Sequence, residues 1–165
     1  MNNDLKIYMN DYKFKVRVAG IIISDNYLLV ESYSDVAYTL PGGHIEINET
    51  SERAIKRELE EELNINIEIE KFVGLIENFF VNIKNEKTHC LDFFYKCSIK
   101  IDDYNNFEMD EIDHGIKMHH SYKWIKIDEL DKYNLKPNTL INIIKDNNYE
   151  QIFHVIQQDK RLKDN

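Results

Sequence analysis

The stretch from Gly43 to Ile65 reads GHIEINETSERAIKRELEEELNI, and it carries the clearest structural pattern in the chain. Its second half predicts a helix over residues 51–63, with an apolar stripe formed by Ala54, Ile55, Leu59 and Leu63. Thr50 is placed to cap the first turn of this helix. Asn64 follows the last apolar position, where a left-handed residue commonly ends a helix.

The same helix carries a group of carboxylates. Glu58, Glu61 and Glu62 stand at i, i+3 and i+4, so they share one face and repel one another. Closely spaced carboxylate oxygens suit Mg²⁺ or Mn²⁺, which prefer hard oxygen ligands together with water and substrate phosphate. Arg57 adjoins Glu58 and can reach Glu61 one turn later. A solvated acidic surface is the alternative for the helix taken alone.

A glycine pair lies just before the helix. Leu40-Pro41-Gly42-Gly43 follows a predicted short strand, and two glycines there allow positive φ or a close backbone approach to a ligand. A bare main-chain carbonyl in this turn, at Gly42, could join a metal's ligands. Glu46 and Glu49 add two acids between the turn and the helix. The coincidence of turn and helix at this spacing favours a metal site over a solvated surface.

The segment resembles the Nudix hydrolases, whose signature is G-x5-E-x7-R-E-U-x-E-E-x-G-U with U a bulky apolar residue. The matching positions are Gly43, Glu49, Arg57, Glu58, Leu59, Glu61, Glu62 and Ile65. Asn64 stands where the family has glycine, and Asn48 replaces a further upstream glycine. Asn is the next-best residue in the left-handed region, so both turns are expected to survive. The resemblance extends from about residue 13 to residue 145.

The resemblance implies a metal-dependent hydrolase that cleaves a nucleoside diphosphate linked to another moiety and releases a nucleoside monophosphate. By position, Glu61, Glu62, the Gly42 carbonyl and Glu58 would bind Mg²⁺ or Mn²⁺. Glu58 is the nearest general-base candidate, while Arg57 and Glu49 would hold the helix to the preceding loop. Glu61→Gln and Glu62→Gln are each expected to lower turnover by orders of magnitude and to leave the fold intact, because exposed charge changes cost little stability.

Family members differ in where the general base lies, and some take it from a later loop. Candidates for that base or for an additional metal ligand are Glu108, Asp110, Glu111, Asp113, His119 and His120. The sequence does not choose among them, and we expect most of them to face solvent.

Residues outside the signature also match a bacterial subgroup of this family. Arg17 is an unusual residue on an apolar strand and could reach a phosphate, or its charged end could extend to the surface. Phe79 and Phe80 are expected to be half core, with one of them able to stack on a base. We therefore take Arg17, Phe79 and Phe80 as candidate substrate-binding residues.

The order of elements predicts an α/β Nudix fold, a mixed β-sheet sandwiched between α-helices, in one domain over residues 1–165. Strands are expected at Lys13–Ile23 and Tyr27–Glu31, which form a hairpin around Asp25-Asn26, and then in Ile65–Val81, Cys90–Ile99 and Tyr122–Ile127. Residues 102–120 are polar, acidic and without periodicity, which predicts a loop. Pro137 can open a helix to about Asp146, and residues 149–158 fit helix or strand equally.

The composition sets limits on partners and compartment. The 165 residues include 30 Asp and Glu against 21 Lys and Arg, a formal net charge of −9. This argues against long nucleic acids and anionic membranes as partners, since both require a basic face. Cys90 and Cys97 lie seven apart in one predicted strand and so face opposite ways, which disfavours a disulfide. We expect a cytoplasmic protein, and the resemblance adds a homodimer as a prior expectation.

Three functions compete at this point. The first is an active pyrophosphohydrolase acting on a small nucleotide such as a nucleoside triphosphate, ADP-ribose, a nucleotide sugar or a dinucleoside polyphosphate. The second is a Nudix-like domain that binds or senses a nucleotide without cleaving it, although such domains usually lose motif acids that are all present here. The third is an acidic binding protein whose glutamates are only surface.

Overall fold

A mixed sheet built around one long strand frames the molecule. The computed structural model describes residues 3–34, 37–63, 67–82, 85–99, 107–113 and 116–162. Its strands are β1 Lys6–Met9, β2 Tyr12–Ser24, β3 Tyr27–Ser34, β4 Ala37–Thr39, β5 Ile67–Val81, β6 Lys87–Ile99, β7 Phe107–Asp113, β8 Ile116–Lys126 and β9 Phe153–Gln158. The strand order is β7-β8-β3-β2-β6-β5-β9, with β1 paired to β2 and β4 paired to β3.

Strand β2 joins the two halves of the sheet. On one side it pairs antiparallel with β1 and, at its end, with β3. On the other side it runs parallel to β6 from Tyr12↔Lys87 to Ile22↔Cys97. The pairing of β5 with β9 is also parallel, whereas β5 and β6 are antiparallel. A register shift between Phe72 and Gly74 marks a bulge in β5 at the glycine.

Helices cover both faces of the sheet. Val18 and Ile22 of β2 pack with the apolar stripe of α1, Ser51–Leu63, whereas Ala19 and Ile21 pack with α2, Leu140–Asp146. Successive strand residues point to opposite faces, so a single strand supplies both cores. A 3₁₀ helix, Ile127–Lys132, adds Ile127 and Leu130 to the α2 side. The expectation of a mixed sheet between helices is confirmed.

The local signals around α1 and the first hairpin act as expected. The helix begins at Ser51, and Thr50 Oγ1 accepts a hydrogen bond from the Arg53 amide at 3.3 Å. Asp25 and Asn26 both have positive φ in the turn between β2 and β3. Asn48 has φ 64°, so asparagine takes the left-handed conformation there. Asn64 and Ile65 lie outside the described residues.

The sequence-based prediction of a loop over residues 102–120 is wrong. Residues 107–113 form β7, which pairs antiparallel with β8, and β8 in turn pairs with β3. Glu108 and Asp110 are exposed, and the pairing of β7 with β8 is a contact between strands that the acidic sequence does not reveal. Residues 153–158, undecided from sequence, form β9, and α2 begins at Leu140, three residues after Pro137.

Two further expectations concern the thiols and the membrane. Cys90 and Cys97 are buried and free, as predicted. Within the described residues, no helix is both long enough and apolar enough to cross a membrane.

Candidate active site

Arg57 lies at the centre of the acidic segment. Its Nε and Nη2 donate to the two carboxylate oxygens of Glu49 at 2.8 Å each, and Nη2 also donates to the His44 carbonyl at 3.0 Å. Its Nη1 donates to Glu58 at 2.9 Å and to Glu61 at 3.3 Å. One guanidinium therefore ties the helix to the preceding loop and fixes two of the helix carboxylates, and helix spacing predicted its contacts with these two carboxylates.

The loop end of this arrangement is also fixed. Glu49 Oε2 accepts the Glu46 amide at 3.0 Å. Hydrogen bonding from Arg57 is the main cause that lowers the pKa of Glu49, and it raises the pKa of Arg57 in turn. Both groups are thus ionised at neutral pH, and the loop keeps one orientation relative to α1.

The two glycines permit a close approach between the loop, β2 and the helix. Gly42 has φ 136°, and a Cβ there would collide with the Val18 carbonyl oxygen. At Gly43 a Cβ would collide with the Glu58 carboxylate. The carboxylate of Glu58 therefore occupies space that exists only because residue 43 has no side chain.

Glu62 is the most deeply placed acid of the motif. Its residue is only 5% exposed, and Oε2 accepts the Gly42 amide at 2.9 Å. Burial, followed by the charges of Glu31 and Glu58, raises the pKa of Glu62 well above its usual range. The expectation that E62Q changes only an exposed charge is therefore wrong. The same expectation holds for E61Q, because the Glu61 side chain is 48% exposed.

Two residues from strands of the sheet lie beside Glu62. Glu31 on β3 and His120 on β8 each offer a ligand atom, and with an oxygen of Glu62 these atoms all lie within 4.8 Å of one another. His120 Nδ1 lies 2.7 Å from Glu31 Oε1, and both side chains are largely buried. The sequence analysis named His120 among six candidates and missed Glu31. The one sequence feature that marks Glu31 is a charged residue directly after the apolar run Leu28-Leu29-Val30, within β3.

This cluster fits a divalent cation. Glu31 and Glu62 place two carboxylates in a largely buried site, where burial and then the charges of Glu31 and Glu58 raise the pKa of Glu62. Closely spaced carboxylates suit Mg²⁺ or Mn²⁺, which prefer oxygen ligands. A bound cation would offset the repulsion that the protein's own residues leave.

Three of the other late candidates, His119, Asp110 and Glu108, do not reach this cluster. His119 faces away from His120 on β8, is 59% exposed, and pairs with Asp110 at 3.1 Å and Glu108 at 3.6 Å on the outer surface. Glu111 and Asp113 lie in β7, but their side chains fall outside the described part of the structure.

The three candidate substrate-binding residues separate into two groups. Arg17 Nη2 donates to the Gly42 carbonyl at 2.8 Å, and Phe80 lies on the same side of the sheet beneath the Lys15 ammonium. Phe79 points to the opposite face of β5, where its ring stacks on His89 at 4.2 Å. Arg17 therefore reaches the Gly42 loop, Phe80 only shares its face of the sheet, and Phe79 lies on the opposite face.

The chain resembles known proteins over most of its length. The family model of the NUDIX domain matches residues 13–145. An 8-oxo-dGTP diphosphatase of Buchnera aphidicola subsp. Schizaphis graminum is 31% identical over 135 residues, which are 78% of this chain and 91% of that protein. A MutT-like protein of Streptomyces ambofaciens is 32% identical over 65 residues, or 38% of this chain and 42% of that protein. This second match spans less than half of the relative's length.

The structural comparison adds the fold. The crystal structure of a NUDIX hydrolase from Nitrosomonas europaea superposes with a TM-score of 0.59 at 18% identity, over 88% of this chain and 79% of that one. At this identity the likeness concerns the fold alone.

Proposed function

The chain belongs to the NUDIX family and is a Nudix pyrophosphohydrolase, and from this premise we propose that it is a metal-dependent enzyme that cleaves the pyrophosphate linkage of a nucleoside diphosphate joined to another moiety. The reaction releases a nucleoside monophosphate. The observation that carries the proposal is the buried Glu62 carboxylate, which lies with Glu31 and His120 in one cluster of possible metal ligands.

The proposed metal ligands come from the loop and the helix. The carboxylates of Glu58, Glu61 and Glu62 would hold Mg²⁺ or Mn²⁺ together with the Gly42 carbonyl, which keeps a second lone pair beyond its bond to Arg17. When bound, the cation supplies positive charge to the pyrophosphate oxygens and makes a bound water more acidic.

The protein's own groups position the reacting parts. Arg57 and Glu49 hold α1 against the loop, so that the carboxylates meet the substrate in one fixed orientation. Glu58 is our candidate for the group that accepts a proton from the attacking water, because its carboxylate lies against Gly43 and is held by Arg57. Arg17 lies beside Gly42, where its guanidinium can contact the substrate.

The substrate that we favour is a nucleoside triphosphate, oxidised ones included, or a similarly small nucleotide. The support is the 8-oxo-dGTP diphosphatase, which aligns over most of both chains. ADP-ribose, nucleotide sugars and dinucleoside polyphosphates form the rest of the test set.

A substrate panel with Mg²⁺ and with Mn²⁺ tests the proposal, scoring phosphate, pyrophosphate and nucleoside monophosphate. We expect metal-dependent release of the monophosphate from at least one nucleotide. The double variant E61Q/E62Q should lose that activity, with E60Q on the exposed side of α1 as the matched control. Wild-type activity in the double variant would contradict the ligand assignment, and a metal-independent reaction would contradict the mechanism.

A further inference from the structure

The sheet face that packs against α2 changes from apolar to polar along its strands. On β2, Ala19 and Ile21 belong to the core, while Lys15 and Arg17 precede them on the same face. On β6, Phe94 belongs to the same core, and Asp92 precedes it in the same way. Register pairs Arg17 with Asp92 on the neighbouring strand. Together with Cys90, these three charged residues form what we call the polar patch.

The polar patch adjoins the reaction site. Its central member, Arg17, donates a hydrogen bond to the carbonyl of Gly42. The amide of Gly42 in turn donates to Glu62. A substrate held between the motif carboxylates and the loop would therefore extend toward Lys15 and Asp92. The patch is in the right place to contact the part of the substrate that does not react.

Within the described residues, the charged groups of the patch make few hydrogen bonds. Asp92 is only 6% exposed, yet among the described residues its carboxylate accepts a single hydrogen bond, from the Cys90 thiol at 3.1 Å. Lys15 makes no hydrogen bond or ion pair within the described ranges, and its ammonium lies 5.8 Å from the centre of the Phe80 ring. Arg17 makes only the bond to Gly42 among the residues that can be described.

A purely structural role fits these observations poorly. A buried carboxylate normally recruits strong donors, and a guanidinium and an ammonium stand beside Asp92. Even so, no direct ion pair joins Asp92 to either cation in the described part of the chain. By contrast, Gln157 bonds both Asn78 and Thr139 farther along the same face. Asp92 is therefore a buried carboxylate whose acceptor capacity is largely left over by the described residues.

We propose that the polar patch binds the guanine ring of the nucleotide, with Asp92 as the residue that determines base specificity. This inference rests on the proposed function. Asp92 accepts the adjacent N1–H and N2–H donors of guanine, while Arg17 and Lys15 donate to its O6 and N7 acceptors. A carboxylate can take two parallel N–H bonds, and Arg or Lys is the usual partner of O6 and N7.

Other bases match the patch less well. Adenine and cytosine each offer one exocyclic amino group and no second N–H beside it, so they leave Asp92 half satisfied. Uracil offers one ring N–H between two acceptors. A site that buries a polar group for a particular partner discriminates strongly against ligands that leave the group unpaired.

The test is a double-mutant-type cycle, in which the 2-amino group of guanine and the carboxylate of Asp92 are removed separately and together. GTP is compared with inosine triphosphate, which differs only by lacking that amino group, and with ATP. We expect the wild-type kcat/KM to favour GTP over inosine triphosphate by tenfold or more, and over ATP by a larger factor. In D92N the preference for GTP over inosine triphosphate should fall to within about threefold of unity.

Binding provides a second readout. Calorimetry with the product monophosphates GMP and IMP in Mg²⁺ buffer should give the same preference in the wild type and its loss in D92N. D128N, which changes an exposed aspartate far along the chain, is the matched control and should keep the wild-type preference. If D92N does not fold, the wild-type comparison of GTP with inosine triphosphate decides alone.

The outcomes separate this inference from the proposed function. Hydrolysis without preference between the two purines, or a preference that D92N leaves intact, overturns the guanine assignment and leaves the enzyme. Selective GMP binding without hydrolysis of any nucleotide supports the patch and overturns the proposed activity. If the protein neither binds GMP nor hydrolyses any of the nucleotides, both the guanine assignment and the proposed activity are overturned.

Discussion

Arg57 and Glu49 form a bidentate ion pair across eight residues, with both guanidinium–carboxylate distances at 2.8 Å. The pair joins the first half of α1 to the loop that follows Gly43. Because the same guanidinium also bonds Glu58 and Glu61, the orientation of the acidic face depends on one side chain.

Replacing Arg57 by lysine should therefore damage catalysis more than stability. Lysine keeps the charge but loses the planar fork that bonds four partners at once. We expect R57K to lower kcat by tenfold or more and the free energy of unfolding by about 1 kcal/mol. Steady-state kinetics and urea denaturation measure the two effects. R53K, on an exposed position of the same helix, is the control, and equal kcat in the two variants would exclude the positioning role.

The substitution E62Q should stabilise the metal-free protein. A carboxyl group whose folded pKa is raised costs stability at every pH above its unfolded pKa, and glutamine removes that cost while keeping an acceptor for the Gly42 amide. In EDTA we expect a higher Tm than the wild type. Added Mg²⁺ or Mn²⁺ should raise the Tm of the wild type and raise that of E62Q much less.

The matched control for that experiment is E60Q, since Glu60 is on the exposed side of α1. It should leave both Tm values near those of the wild type. A metal-induced Tm increase in E62Q as large as in the wild type would remove Glu62 from the ligand set.

Glu31 should strengthen metal binding although it lies outside the motif. Its carboxylate is close to Glu62 and His120, so E31Q removes one negative charge from the cation's surroundings. We expect E31Q to weaken Mn²⁺ binding by tenfold or more in a calorimetric titration. E108Q, an exposed change on β7, should bind Mn²⁺ as the wild type does, and a similar affinity in E31Q would refute the contribution of Glu31.

The charged, largely buried ammonium of Lys15 should lower the free energy of unfolding at neutral pH. Burial, with Arg17 nearby, lowers its pKa from 10.5 to about 8. Between pH 8 and 10.5, Lys15 is therefore more fully protonated in the unfolded chain than in the folded protein. Its contribution to the free energy of unfolding becomes more favourable as pH rises through that window. At pH 7, K15M should be more stable than the wild type by about 2 kcal/mol, after allowance for partial exposure.

The check is urea denaturation of both proteins at pH 7 and at pH 10. The stability difference should shrink markedly at the higher pH. A difference that does not change with pH would mean that Lys15 retains its ordinary pKa in the folded protein.

The motif was readable because its information is local. The face shared by Glu58, Glu61 and Glu62, the cap at Thr50 and the bond from Arg57 to Glu61 all follow from helix spacing within one segment. The strand β7 was not readable, because pairing with β8 holds it and its exposed acids give no period. Glu31 and Asp92 were missed for a related reason: each becomes notable only when another strand places a partner beside it.

The parallel pairing of β2 with β6 gives the site an order of assembly. Tyr12 pairs with Lys87 and Ile22 with Cys97, so every rung of this ladder joins residues 75 positions apart. Closing so long a loop is an entropic cost that local helix formation does not carry. In a folding experiment, α1 can therefore form early from its own segment, whereas Arg17 and Asp92 meet only when this ladder closes. The carboxylates belong to a local element, whereas the polar patch depends on the topology of the whole chain.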